Sequence, residues 1–113
     1  MKIRLNNFKT LELEAKKLSM IGKFKGLMFS RRKNAEILLF EFKKPKKIIF
    51  HSLFCFFPFL IIWLDEQNNV IDKRIIPPFQ LKISTTKPFS KVIEIPFNKK
   101  YSNILKIIDV RKI

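Results

Sequence analysis

The chain has 113 residues, 47% of them hydrophobic, and its 24 Lys and Arg against nine Asp and Glu give a net charge of +15. This length fits one domain over residues 1–113, and the hydrophobic content excludes a disordered chain. The single Cys excludes an intrachain disulfide and favours the reducing cytosol. The charge favours an anionic partner, either nucleic acid, an acidic protein or an anionic membrane, although a compositional bias towards Lys explains it without any function.

The N-terminal residues predict two strands and a cytoplasmic location. They lack the apolar stretch and the small-residue cleavage site of a signal peptide. Residues 2–5 and 10–14 alternate polar and apolar side chains, which predicts two short strands with one solvated face each. Asn6 and Asn7 supply a turn between them.

The next segment combines a helical stripe with a strand. Ser19 can cap a short helix over residues 20–29, whose apolar side chains recur at helical spacing. Residues 37–42 form an apolar run that predicts a buried strand. The Lys-rich residues 43–47, with Pro45 at their centre, predict a turn.

Residues 48–64 are the most apolar part of the chain. Pro58 divides this run, and proline cannot donate to a sheet ladder. We therefore expect residues 59–64 to form a buried strand. Residues 70–76 return as its hairpin partner, because Asn68 and Asn69 suit the positive-φ positions of a turn.

A membrane span over residues 48–64 is the alternative interpretation of this run. It contains no charged residue, and the lysines before it would keep that end in the cytoplasm. As a helix it is about 26 Å long, which is shorter than the ~30 Å hydrocarbon core. Pro58 in its middle, and the hairpin that the span would cut at Leu64, favour the soluble interpretation.

Further strands are predicted at residues 79–83, 91–95 and 105–113, with turn-forming residues between them. The chain then has about seven short strands and one short helix. Turn signals every eight to twelve residues are typical of a small antiparallel β-barrel or sandwich. The predicted fold class is mainly β.

No catalytic constellation is visible in the sequence. Two glycines nearly exclude a phosphate-cradling loop, and the acidic residues are scattered singly. His51 and Cys55 could give two metal ligands, whereas a metal site usually needs three or four. We therefore predict no catalytic residue, no metal and no cofactor, with Cys55 as a small core residue and His51 bonded to backbone groups.

Clusters of basic residues define a nucleic-acid-binding alternative. They are Lys23, Lys25, Arg31, Arg32, Lys33, Lys43, Lys44, Lys46 and Lys47. Six aromatic residues near Lys or Arg could stack on bases, although ordinary core packing is the favoured interpretation. They are Phe8, Phe24, Phe79, Phe89, Phe97 and Tyr101.

An ordered series of short motifs resembles the domain of unknown function 192 family of bacteria and archaea. A capped helix ending in Gly-Leu-Met (26–28) precedes a hydrophobic strand. Residues 50–55 (FHSLFC) are similar to the family's Ile-His-Thr-Phe-Phe-Met run, and Phe-Pro (57–58) and Trp-Leu-Asp (63–65) follow in order. Residues 92–96 (VIEIP) match its Leu-Glu-Leu-Pro strand.

This resemblance implies a small barrel-like β domain and no established activity. Leu60 stands where the family usually has Asp, and Cys55 where Met is common. The first hypothesis is therefore a soluble binding or accessory module and not an enzyme. Because the resemblance places the family's most distinctive run there, its expected ligand surface comprises His51, Ser52, Phe54 and Pro58. Nucleic-acid binding and a membrane-anchored protein are the second and third hypotheses.

Overall fold

The computed structural model describes residues 1–6, 8–17, 35–46, 57–79 and 83–108, without the side chains of 43–46. Strands β1 (Lys2–Asn6) and β2 (Lys9–Glu12) pair antiparallel in a hairpin. Ile3 pairs with Leu11 and is completely buried, while the residues on either side of Ile3 are exposed. The two alternating strands predicted near the N-terminus are therefore confirmed.

The other five strands form one open sheet. They are β3 (Lys16–Lys17), β4 (Leu38–Lys46), β5 (Phe59–Leu64), β6 (Val70–Ile76) and β7 (Phe89–Pro96). Their spatial order is β3-β4-β7-β5-β6, with β3 parallel to β4 and all other pairs antiparallel. The described strands do not close into a barrel, so the sandwich-like arrangement is the compatible one of the two predicted.

The central strands β5 and β7 are buried on both faces of this sheet, and the two faces differ in composition. One face, which we call the aromatic face, carries most of the buried rings. Its buried aromatic residues are Phe40, Phe57, Phe59, Trp63 and Phe89. The opposite, aliphatic face packs against the β1–β2 hairpin. Its buried residues from the sheet are Leu39, Leu60, Ile62, Leu64, Ile93 and Ile95. Because β5 contributes to both faces, all six of its side chains are buried.

The turn between β5 and β6 attaches the β1–β2 hairpin to the sheet. The Arg4 N–H donates to the Asn68 carbonyl at 2.8 Å, and the Asn68 side chain donates to the Lys2 carbonyl at 3.0 Å. Asn68 has the positive φ (65°) predicted for this turn, whereas Asn69 does not have a positive φ. The ladder between β5 and β6 has the bounds that the sequence predicts.

The turn predicted at residues 43–47 is wrong at its start, because β4 continues through Lys46. Glu41 pairs with Lys91 of β7, and Lys46 pairs with Phe89. Four residues of β4 thus lie opposite the single residue Ser90. Such an irregularity accommodates Pro45, whose missing N–H would interrupt a regular ladder.

The strand predicted at residues 105–113 is also wrong over residues 105–108, and residues 109–113 lie outside the described ranges. A 3-10 turn (Lys99–Tyr101) leads into helix α1 (Ser102–Ile107). Alternation and helical spacing coincide in this short segment. Tyr101, Ile104, Leu105 and Ile108 recur at the three- and four-residue intervals of a helix, and all four pack on the aliphatic face. Contact with that face therefore selects the helical period.

Three other predictions have mixed outcomes. The helix predicted at residues 20–29 lies outside the described residues. The strand predicted to begin at Phe79 does not begin there, because Phe79 has a φ of 63° and belongs to a turn.

Within the described ranges, every helix is too short or too polar to span a bilayer, and the end of the proposed span, Phe59–Leu64, is a sheet strand.

Candidate functional site

Pro58 is the one member of the predicted ligand surface that the structure describes. It is half-buried, and its carbonyl accepts a hydrogen bond from the Phe97 N–H at 3.1 Å. This bond ties the start of β5 to the end of β7. His51, Ser52 and Phe54 lie outside the described residues, so a ligand surface around them stays a prediction.

The predicted basic surface is described only in part. Lys43, Lys44 and Lys46 all lie on β4, next to the irregular pairing with β7. The structure does not describe the side chains of these three lysines. Lys47 and the five basic residues predicted between 23 and 33 lie outside the described residues. The backbone therefore brings three of the nine predicted residues onto one strand.

Charge is distributed unevenly along the chain. Residues 18–34 and 43–47 together contain nine Lys and Arg and no acid. The other residues contain fifteen Lys and Arg and all nine acids, a net charge of +6. These two short segments therefore carry +9 of the net charge of +15.

Two polar side chains are buried on the aromatic face. Glu94 of β7 is 5% exposed and pairs across the ladder with Ile61 of β5 and Leu38 of β4. Trp63 lies two residues after Ile61 on the same face of β5. It is fully buried, and its indole Nε1 has no hydrogen-bond partner within the described ranges. The Arg74 guanidinium lies 5.7 Å from the centre of the Trp63 ring. This region combines an acceptor and a donor with aromatic walls.

Sequence reasoning missed the burial of Glu94. The alternation of residues 91–95 suggested one solvated face, yet β7 is central in the sheet and covered on both faces. A signal was present in the sequence, because apolar residues surround this one acid on both sides. Buried carboxylates are uncommon, so Glu94 is a candidate for a functional group.

Asp65 stabilises the β5–β6 turn, to which the β1–β2 hairpin is hydrogen-bonded. Its Oδ1 accepts hydrogen bonds from the N–H groups of Gln67 and Asn69 at 2.9 Å, and its Oδ2 accepts one from the Asn69 side chain. Burial raises the pKa of Asp65, but these hydrogen bonds and the Lys91 charge outweigh it, so the net pKa is lowered. The turn therefore gains stability above the unfolded-state pKa and loses it as the pH falls through the folded value.

An open groove of about 670 Å³ lies beside the β1–β2 hairpin. Its charged lining residues are Glu12, Glu14, Lys16, Glu36 and Lys100. These are three acids and two lysines, and the Met1 amino group pairs with Glu12 at 3.1 Å. With charges of both signs so close together, the groove gives no electrostatic preference for an anion.

The structure separates the aromatic residues that were considered for base stacking. Phe89 is core, and Phe97 and Tyr101 pack against the aliphatic face, as the favoured interpretation predicted. Phe79 is 55% exposed, and Phe8 is 98% exposed. Core packing is therefore wrong for Phe8, which lies in the turn between β1 and β2. Phe24 is outside the described residues.

The described part of the chain contains no candidate metal site. Within it, no group of three or more His, Cys, Asp and Glu side chains is arranged to hold a metal ion. His51 and Cys55 lie outside that part. The expectation that the protein holds no metal therefore stays a prediction.

Two crystal structures share this fold. Among curated proteins no sequence matches. The fold is similar to a crystal structure of a protein of unknown function from Novosphingobium aromaticivorans DSM 12444 (TM-score 0.71, 16% identity, covering 97% of this chain and 78% of the other). It is also similar to a "putative transcription regulator" from Sinorhizobium meliloti 1021 (TM-score 0.74, 16% identity, covering 97% and 84%).

A family model settles the assignment that the ordered motifs suggested. The model of DUF192, described as uncharacterized ACR, matches residues 7–106, which is most of the chain. The matched range includes the hairpin turn, all five strands of the sheet and most of helix α1. This small β-rich protein, for which no activity is established, therefore belongs to the DUF192 family.

Proposed function

We propose that the protein is a cytoplasmic binding module for nucleic acid, which it contacts through its acid-poor basic segments. The unequal distribution of charge carries this proposal. Residues 18–34 and 43–47 contain nine cations and no acid, whereas elsewhere nine acids accompany fifteen cations. Cations without neighbouring acids are available to neutralise phosphates and release their counterions.

Two segments supply these cations. Residues 18–34 contain five Lys and Arg and no acid, and residues 43–47 contain four Lys and no acid. Three of those four lysines share β4. The description of the Sinorhizobium neighbour as a "putative transcription regulator" is a reason to test DNA as well as RNA.

Binding should weaken steeply with salt, and the basic segment should determine how steeply. We expect labelled single-stranded RNA or DNA to bind at low salt, with the logarithm of the affinity falling linearly with the logarithm of the salt concentration. Replacing Arg31, Arg32 and Lys33 with Gln removes three phosphate contacts and should reduce that slope by about 2. Fluorescence anisotropy over a KCl series measures both quantities.

A second triple variant has the same change in net charge and serves as the control. It replaces Lys16, Lys99 and Lys106, which are exposed, with Gln. These residues belong neither to the two acid-free segments nor to the β1–β2 hairpin, so the variant should leave the slope close to that of the unmodified protein. Weak binding without a salt slope, or equal losses in the two variants, would exclude the proposed interface.

Small-ligand binding is the second candidate function, and the buried polar groups of the aromatic face favour it. Phe57 is part of that face, and the run with His51, Ser52 and Phe54 precedes it directly in the sequence. A ligand bound by this run could reach Glu94, whose carboxylate lies on the same face. Concave apolar sites with few polar groups are typical of small-molecule binding.

A copurifying ligand would distinguish this candidate from a structural role of His51. We expect mass spectrometry of extracts of the purified protein to find a bound small molecule that the His51→Ala variant loses. The melting temperature of the ligand-free variant should match that of the ligand-free unmodified protein. A lower melting temperature with unchanged ligand content would instead make His51 a core residue.

A further inference from the structure

Phe8 is an exposed aromatic residue next to the β1–β2 hairpin strands. It follows β1 and precedes β2, and 98% of its surface is exposed. Its N–H donates to the Asn6 side-chain oxygen at 2.8 Å. The hairpin itself is held to the β5–β6 turn through the Arg4 and Lys2 backbones. The ring is thus attached to a positioned turn.

Neither packing nor turn formation accounts for an aromatic residue here. Turns favour Gly, Asn, Asp and Ser because of their backbone preferences, and a Phe ring contributes nothing to them. Four other phenylalanines of the sheet region are fully or almost fully buried. Phe8 alone, among the phenylalanines that the structure describes, leaves almost its whole ring in water.

Cations accompany this ring along the hairpin. Lys9 is exposed and pairs with Asn6 beside the turn. Arg4 and Lys2 follow on the outward face of β1, at two-residue intervals of about 6.8 Å, because Ile3 between them faces the core. Lys2 lies opposite Glu12, whereas Arg4 lies opposite Thr10 and Lys9 opposite Asn6. An exposed ring next to two cations that have no acid opposite them suits a partner with a flat π-face and negative charges.

A single-stranded nucleic acid has both features, and a membrane fits less well. Among the described residues of the hairpin, Phe8 is the one large apolar side chain that is mostly exposed, because Leu5 and Leu11 are half-buried on the inner face. One ring gives little apolar area for insertion into lipid, and stable membrane attachment usually needs a second anchor. One ring is sufficient to stack on one base.

We propose that Phe8 stacks on an unpaired base of a single-stranded nucleic acid whose phosphates contact Lys9 and Arg4. This inference rests on the proposed nucleic-acid-binding function and makes that function selective for single strands. In a duplex the bases are stacked on each other and their faces are inaccessible to Phe8. The hairpin therefore distinguishes the two forms without reading the sequence.

Replacing Phe8 with Ala tests the stacking contact. We expect affinity for a labelled single-stranded RNA to fall about 5- to 150-fold, the range of one base–aromatic stack. The salt slope should stay unchanged because no charge is removed. Phe8→Tyr should restore most of the affinity, whereas Phe8→Leu, which is apolar but has no ring, should not. Affinity for a duplex of the same sequence should not change.

Ile107→Ala is the matched control, because Ile107 is an exposed apolar residue (41%) on helix α1. It should bind RNA as the unmodified protein does. If the unmodified protein binds RNA with a salt slope and Phe8→Ala binds equally well, the stacking role is wrong while the proposed function stands. If the unmodified protein does not bind nucleic acid, both are wrong. Loss of binding to phosphatidylserine vesicles, with RNA binding retained, would overturn the inference in favour of a lipid surface.

Discussion

Replacing Leu60 with Asp is expected to remove a large part of the folding free energy at pH 7. Leu60 is 1% exposed and packs on the aliphatic face among Ile62, Ile93 and Ile95. A carboxylate there would be buried without a cation, which costs about 3–5 kcal/mol or more, a large part of a typical folding free energy of about 5–15 kcal/mol. Urea unfolding followed by circular dichroism measures the loss.

The loss should depend on pH in a defined direction. Burial raises the pKa of an introduced carboxyl in the folded state above its unfolded value of about 3.9. The folded protein then binds the proton more tightly, so stability falls as the pH rises from about 4 to 7. The variant should therefore be closest in stability to the unmodified protein near pH 4.

Two control variants separate charge from shape at this position. Leu60→Met conserves volume and should cost less than about 1.5 kcal/mol. Leu60→Asn has the size of Asp without its charge and should show no comparable pH dependence. A Leu60→Asp variant that is fully stable at pH 7 would mean that the carboxylate finds a partner in the folded protein. A Leu60→Asp variant that loses stability would mean that position 60 is a core position in this protein.

Replacing Trp63 with Ala is expected to have the second largest effect. Trp63 is fully buried, pairs with Val92 of β7 and Asp72 of β6, and has the Arg74 guanidinium 5.7 Å from the centre of its ring. Its removal leaves a large cavity and should reduce the free energy of unfolding by about 3–5 kcal/mol. Trp63 is the sole tryptophan, so unfolding should again be followed by circular dichroism.

Trp63→Phe isolates the contribution of the indole nitrogen. It replaces the indole with a smaller phenyl ring and also removes an N–H that has no partner within the described ranges. Because leaving a buried donor unsatisfied costs about 1–3 kcal/mol, removing it offsets part of the cavity cost. The Phe variant should therefore lose much less stability than the Ala variant. Equal losses in the two variants would indicate that the N–H is hydrogen-bonded in solution.

The sequence predicts the central hairpin well because several local signals agree there. The uninterrupted apolar run of β5, the turn at Asn68 and the return in β6 all favour the same structure. Around residues 101–108 the local signals do not agree, because a short apolar pattern there fits both the two-residue period of a strand and the 3.6-residue period of a helix. Helix α1 forms because its apolar stripe meets the aliphatic face, and that contact is not visible in the local sequence.

The surface residues were harder to predict than the strands. A sequence identifies Phe8 as an aromatic residue near cations, but its exposure depends on where the hairpin ends relative to the sheet. Glu94 shows the opposite case, because alternation suggests a solvated residue while the central position of β7 buries it. In both cases the outcome depends on the tertiary neighbours of a strand.

The position of β7 between β4 and β5 has a consequence for synthesis on the ribosome. Both β4 and β5 pair with β7, and in this sheet they do not pair with each other. The sheet therefore cannot be completed until the chain has been synthesised through Pro96. Until then the apolar strands β4 and β5 lack their shared neighbour, and the nascent chain presents them to chaperones or to other unfinished chains.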